Sequence, residues 1–225
     1  MNYKSASYLK KGDHVRILCT ARSADERQLQ PAQKLLESWG LQVSFGNTIG
    51  KKEHQFGGTK EERLADFQQA IDDPETLFGE SQSLSIQNTF SLTSQVITAP
   101  IVGGNLSILY SLLGSDSFPE TEDHILFIEE IDEYLYHIER MMYSLKRAGK
   151  LKGLKALLVG GMTDMNDHEI AFGKNAEEII LSLTAGYDYP VIFNFPAGHI
   201  KDHRTLQLGK EMHLEITPKI INFTP

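Results

Sequence analysis

The chain alternates short apolar runs with stretches that repeat apolar residues at helical spacing, the pattern of an α/β protein. Lys11-Gly-Asp13 leads into Val15-Arg-Ile-Leu-Cys-Thr-Ala21, which predicts a buried strand. Leu29, Leu35, Leu36 and Trp39 then fall on one helical face, with Ser23 or Asp25 as the cap and Gly40 as the stop. Leu41-Gln-Val-Ser-Phe45 alternates as a second strand. A strand–helix–strand opening of this length predicts parallel pairing with a right-handed crossover.

Thr59 and Glu62 have the spacing of a capping box and predict a helix with Leu64, Phe67 and Ile71 turned inward, ended by Asp72-Asp73-Pro74. Residues 76–100 are rich in Ser, Thr and Gln with alternating apolar positions, which suits antiparallel strands or a crossing linker. A domain boundary is placed there, giving domains 1–80 and 81–225.

Beyond Pro100, Ile101-Val-Gly-Gly-Asn105 reads as a strand end and glycine turn before a helix with Leu106, Ile108, Leu109, Leu112 and Leu113. The apolar run 124–129 is a strand. It precedes a helix with Leu135, Ile138, Met141, Met142 and Leu145 on one face, closed by Gly149. Ala156–Gly160 and Val191–Phe195 are further strands flanking a helix at 174–184. Thr205–Leu208 and Met212–Ile216 read as a hairpin around Gly209. No internal repeat or low-complexity tract interrupts the pattern.

Bulk properties narrow the function. A length of 225 residues suffices for one large or two small domains with a real core. Hydrophobic residues at 40% and charged residues at 23% are those of a globular protein. A formal charge of −8, with no dense Lys/Arg cluster, argues against nucleic acid as a partner. The one cysteine, Cys19, rules out an intramolecular disulfide and fits a reducing compartment. No stretch has the length of a membrane span, so the expectation is a cytoplasmic protein without membrane partners.

Ionisable residues at strand ends are where α/β enzymes place their chemistry. Glu129 closes the run His124-Ile-Leu-Phe-Ile-Glu129, and His199 follows Phe195-Pro-Ala-Gly198. An acid at one strand end and an imidazole past another are two parts of a nucleophilic triad. The acids of Glu129-Glu-Ile-Asp-Glu133 also read as a solvated strand end with helix N-terminal acids, and a strand-end histidine also reads as structural. The free amides of the Gly103-Gly104-Asn105 turn suit a carboxylate or phosphate of a substrate, while a simple capping Asn explains the same residues. His199 and His203 are four apart, but Pro196 and Gly198 argue against a helix there. Asp164, Asp167, His168 and Glu169 read as a polar loop, so no metal and no cofactor is expected.

Taken in order, several segments resemble the serine LD-carboxypeptidase family, which includes murein tetrapeptide carboxypeptidases and microcin-immunity peptidases. They are Lys11-Gly-Asp13, Trp39–Val43, Glu62–Asp66, Gly103–Ser107, Glu129–Glu133, Tyr136–Arg140 and Pro196–His199. The resemblance implies an N-terminal parallel-sheet α/β domain and a smaller C-terminal α/β domain with mixed strands, often in a homodimer. It also implies a hydrolase that releases a terminal D-amino acid from murein-derived peptides, with His199 as base and Glu129 as the acid that orients it.

The family's nucleophile-bearing segment has no counterpart here. Asp73-Pro74-Glu75 runs directly into Thr76-Leu-Phe-Gly79, so the N-terminal domain is shortened near Glu75–Thr76 and lacks both serine elbow and oxyanion loop. Ser81, Ser83, Ser85 and Ser107 are the stand-ins, none on a recognisable elbow. The expectation is an inactive or impaired peptidase. The alternative is a non-catalytic peptide-binding protein, or an engineered or truncated scaffold, on the same fold.

Overall fold

The computed structural model describes residues 9–73, 83–87 and 92–224. The chain divides into two compact units, residues 2–80 and residues 81–225. The shortened junction at Glu75–Thr76, and Ser81, lie outside the described residues.

In the first unit, β1 (His14–Ile17), α1 (Glu26–Ser38), β2 (Gln42–Phe45) and α2 (Lys60–Asp72) follow one another. β1 and β2 pair in parallel as a two-stranded sheet, as the crossover rule requires. Both helices start in full capping boxes, Asp25 with Gln28 and Thr59 with Glu62. The first strand is shorter than its apolar run. Past Ile17 the chain turns, and buried Cys19 donates its amide to the Thr48 hydroxyl at 2.8 Å. The inward face expected of α2 is not observed: Leu64 is 62% exposed, with Phe67 and Ile71 also exposed. On α1, Leu29 and Leu36 are half-buried while Leu35 and Trp39 are exposed. An amphipathic face is buried only where a further layer covers it. Among the described residues this sheet has two strands, too few to extend beneath both helices.

The second unit comprises β3 (Leu84–Gln87), β4 (Gln95–Asn105), α3 (Leu106–Leu112), β5 (Ile125–Ile131), α4 (Leu135–Arg147), β6 (Ala156–Thr163), α5 (Ala176–Thr184), β7 (Val191–Ile192), β8 (Glu211–Ile216) and β9 (Ile220–Thr224). Among the described residues its seven strands run in the order β3-β9-β8-β4-β5-β6-β7. β4 joins a parallel half to an antiparallel half. Residues Gln95–Pro100 pair antiparallel with β8, and Ile101–Asn105 pair parallel with β5. Pro100, which has no amide hydrogen to give a ladder, sits where the neighbour changes.

The tail departs from the expected hairpin. Thr205–Leu208 forms no strand, and Gly209 instead donates its amide to the Ile101 carbonyl at 2.7 Å. The hairpin lies one element later, between β8 and β9. Both strands alternate buried and exposed residues, whereas the 205–208 segment offers no second apolar stripe of that length.

Two apolar layers sandwich the parallel strands. On one face Leu126 and Ile128 of β5 meet Ile138, Met141, Met142 and Leu145 of α4, and Ile179 and Leu183 of α5. On the other, Ile125 and Phe127 pack with Phe195, Leu214, Ile216, Ile221 and Phe223. Alternation along β5 therefore sends Glu129 and Glu130 to opposite faces.

Candidate active site

Glu129 and His199 meet at the carboxyl edge of the parallel strands, the edge where open α/β sheets bind ligands. Glu129 is 5% exposed, and its Oε2 accepts from His199 Nδ1 at 2.8 Å and from the His199 amide at 3.2 Å. The His199 ring is 54% exposed. A carboxylate only accepts, so this bond places the proton on Nδ1 and leaves Nε2 as a free acceptor.

The approach depends on Gly198. Its φ is +98°, and a Cβ there would lie 2.7 Å from Glu129 Oε2. Only glycine permits both that backbone and that contact. The His199 carbonyl is held in turn by the Thr163 hydroxyl at 2.9 Å. His203 also folds onto this turn, its Nδ1 at 2.8 Å from the Gly198 carbonyl oxygen.

A cavity of about 320 Å³, lined by Phe127, Glu129, Ala197, His199, Leu206 and Leu208, opens beside the pair. A second cavity of about 800 Å³ lies along Val159–Thr163, Asn175, Asn194 and Ile200.

Glu130 has a different task. Only 4% exposed, it accepts from Asn105 Nδ2 at 2.7 Å and from the amides of Ser107 at 2.8 Å and Ile131 at 3.1 Å. Asn105 also caps α3 by accepting from the Ile108 amide. Thus two amides beyond the Gly103-Gly104-Asn105 turn already serve internal partners. Gly103 itself is demanded by packing, since a Cβ would collide with the Phe127 backbone, and its φ is +129°.

The candidate serines are committed elsewhere: the Ser85 hydroxyl donates to Asn222 at 2.7 Å and that of Ser107 to Met141 Sδ at 3.5 Å. Ser83 lies exposed just before β3. Among the described residues no cluster of three or more His, Cys, Asp or Glu side chains is arranged to hold a metal ion. Asp167 closes its own loop by accepting from the Phe172 amide, and His168 stacks on tyrosines. Thr163 and Asn166, which brace the site, carry no sequence signal, and Asp132 is visible only as one of the acids of 129–133; contacts between successive strand ends reveal the role of all three.

Two family profiles match the chain, the LD-carboxypeptidase N-terminal domain over residues 15–77 and the LD-carboxypeptidase C-terminal domain over residues 98–214. The chain belongs to the LD-carboxypeptidase family. A probable murein peptide carboxypeptidase of Bacillus subtilis is 23% identical over 299 residues, covering 97% of this chain and 93% of that protein. Because that alignment is longer than the chain, the relative carries residues without a counterpart here. The Escherichia coli microcin C7 self-immunity protein MccF is 28% identical over 129 residues, 55% of this chain and 36% of that protein.

The fold agrees as well. A muramoyltetrapeptide carboxypeptidase from Oxalobacter formigenes superposes with a TM-score of 0.79 at 19% identity, covering 94% of this chain and 99% of the other. MccF in complex with glutamyl sulfamoyl guanosine gives 0.79 at 16% identity, with 98% of each chain covered. Among the described residues no helix of this LD-carboxypeptidase family member is long and apolar enough to cross a membrane.

Proposed function

We propose that the chain binds murein-derived peptides that end in a D-amino acid, with Glu129 and His199 as the acid–base half of a serine carboxypeptidase. The observation that carries this reading is the 2.8 Å bond from His199 Nδ1 to Glu129. It leaves Nε2 free to take a proton from an attacking hydroxyl, and Glu129 would stabilise the imidazolium that forms. Gly103, Gly104 and Asn105 are the substrate-binding residues of this reading, supported by the β4–β5 register, which sets Asn105 opposite Glu129.

Turnover by this chain should be absent or severely impaired. A triad without its nucleophile retains little rate, and each lost oxyanion donor removes a further ~2.7–4 kcal/mol of transition-state stabilisation. Incubation with a murein tetrapeptide and assay of free D-alanine tests this; robust release by the unaltered chain would refute the impairment.

A second reading is a binding protein that does not cleave, favoured by the commitment of the Ser85 and Ser107 hydroxyls to other partners. Calorimetry beside the D-alanine assay separates the two: tetrapeptide binding with no turnover, retained after His199→Ala, supports binding without catalysis. The proposal includes a homodimer, tested by analytical ultracentrifugation. It also includes a cytoplasmic location, supported by the lone buried Cys19 and tested by cell fractionation.

A further inference from the structure

The start of α4 and the loop after β6 carry an aromatic surface on the same sheet edge as Glu129 and His199, and the proposed chemistry does not use it. The rings of Tyr134 and His168 lie 4.8 Å apart at 22°, and those of Tyr136 and His168 lie 5.3 Å apart at 21°. The two tyrosine rings are 5.7 Å apart, and the Arg140 guanidinium sits 5.2 Å from the Tyr136 ring. Tyr134 and Tyr136 remain 38% and 37% exposed, and His168 is exposed. Stacked rings left this open are unusual unless something covers them, because aromatic area strongly favours leaving water.

The surface is built rather than incidental. The Leu135 amide donates to the Asn166 carbonyl at 3.0 Å, and the Asn166 amide to the Glu133 carbonyl at 2.8 Å. Asn166 Nδ2 donates to Asp132 Oδ1 at 2.9 Å, and the Asp132 amide to the Thr163 carbonyl at 3.0 Å. Thr163 in turn holds the His199 carbonyl. One continuous set of bonds therefore fixes the rings relative to the imidazole.

We propose that Tyr134, Tyr136 and His168 form a saccharide subsite that takes the amino-sugar end of a murein peptide whose carboxyl end lies at Glu129 and His199. A pyranose offers a face of weakly positive C–H bonds that suits the negative face of an aromatic ring. Asp164 and Glu169, exposed on the same loop, are acceptors for its hydroxyls. A purely apolar partner would strip water from those carboxylates without replacing it. Tyr134 follows Glu129 by five residues, at most ~18 Å of extended chain, within reach of a four-residue peptide stem plus its sugar. The subsite rests on the peptidase reading for its ligand but not for its chemistry.

Calorimetry with a free tetrapeptide, its disaccharide-linked form and the disaccharide alone tests it, together with the variants His168→Ala and Tyr136→Leu. His168 lies on an exposed loop, so its removal should leave the fold intact. The sugar-linked peptide should bind about three- to tenfold more tightly than the free one. Both variants should lose that gain and keep the tetrapeptide affinity. Equal affinity for the two peptides, or a gain that survives His168→Ala, would overturn the subsite. A proton NMR titration separates the two levels. If the disaccharide alone shifts the His168 ring signals while the tetrapeptide does not bind, the subsite stands and the peptidase reading fails. Unchanged ring signals at saturating disaccharide would sink the subsite.

Discussion

One oxygen of Glu129 accepts two hydrogen bonds from the same residue, the ring and the backbone amide of His199, so imidazole position and chain direction are set together. Replacing the acid has two separable consequences. Glu129→Ala should destabilise the 81–225 unit by about 1–3 kcal/mol, because the His199 amide loses its acceptor. Urea denaturation measures this. Glu129→Gln should keep most of the stability, yet nitrogen NMR should show the single Nδ1–H tautomer replaced by a mixture.

Gly198→Ala should disturb the pair more than its size suggests. The new methyl would fall 2.7 Å from Glu129 Oε2 and 2.8 Å from Glu129 Cβ on a backbone with φ of +98°. The expected loss is about 2–3 kcal/mol. Gly114→Ala is the control. There φ is +83° but no atom lies within 4 Å, so only the backbone cost of about 1 kcal/mol remains. Equal losses would show that the contact with Glu129 does not matter.

Glu130 should prove structural. Glu130→Ala strands the Ser107 and Ile131 amides and the Asn105 side chain together, and should cost about 3 kcal/mol or more. The Nδ1–H tautomer of His199 should survive, since Glu130 faces the helical layer. Loss of that tautomer in the nitrogen spectrum would contradict the division of labour between the two acids.

The N-terminal unit should be acid-sensitive through Asp66. Burial raises the cost of its charge. Bonds from the Thr48 hydroxyl and the Thr48 and Asn47 amides, with the Arg16 charge, outweigh that cost and hold the carboxyl below its usual value. A depressed folded-state pKa contributes stability above the unfolded value, near 3.8, and loses it as pH falls through the folded one. Unfolding of this unit followed from pH 5 to 2 should show the loss beginning below about pH 4. Asp66→Asn should flatten that profile while lowering stability at pH 7.

Much of this protein was legible along the chain because the signals are local. The capping box of Thr59 and Glu62 and the stripe Ile138, Met141, Met142 and Leu145 need only neighbouring residues to declare themselves. The strand ending at Glu129 is equally plain, and strand alternation alone separates Glu129 from Glu130. The expected burial of Leu64, Phe67 and Ile71 failed because a periodic pattern says which face is apolar, not whether a layer exists to cover it. The hairpin lies one element later than expected because glycine marks a turn without naming the strands beside it.

The sequence by itself determined the α/β alternation, the family and the two ionisable residues worth pairing. Tertiary structure decided what brings them together. The bond between Glu129 and His199 spans seventy positions and requires a glycine at 198 to let the chain pass. The stacking of Tyr134, Tyr136 and His168 likewise requires the start of α4 and the loop after β6 to be clasped through Asn166. Such contacts depend on which strand ends become neighbours. That follows from sheet order and packing of the whole unit, and no local pattern of apolar and polar residues encodes it.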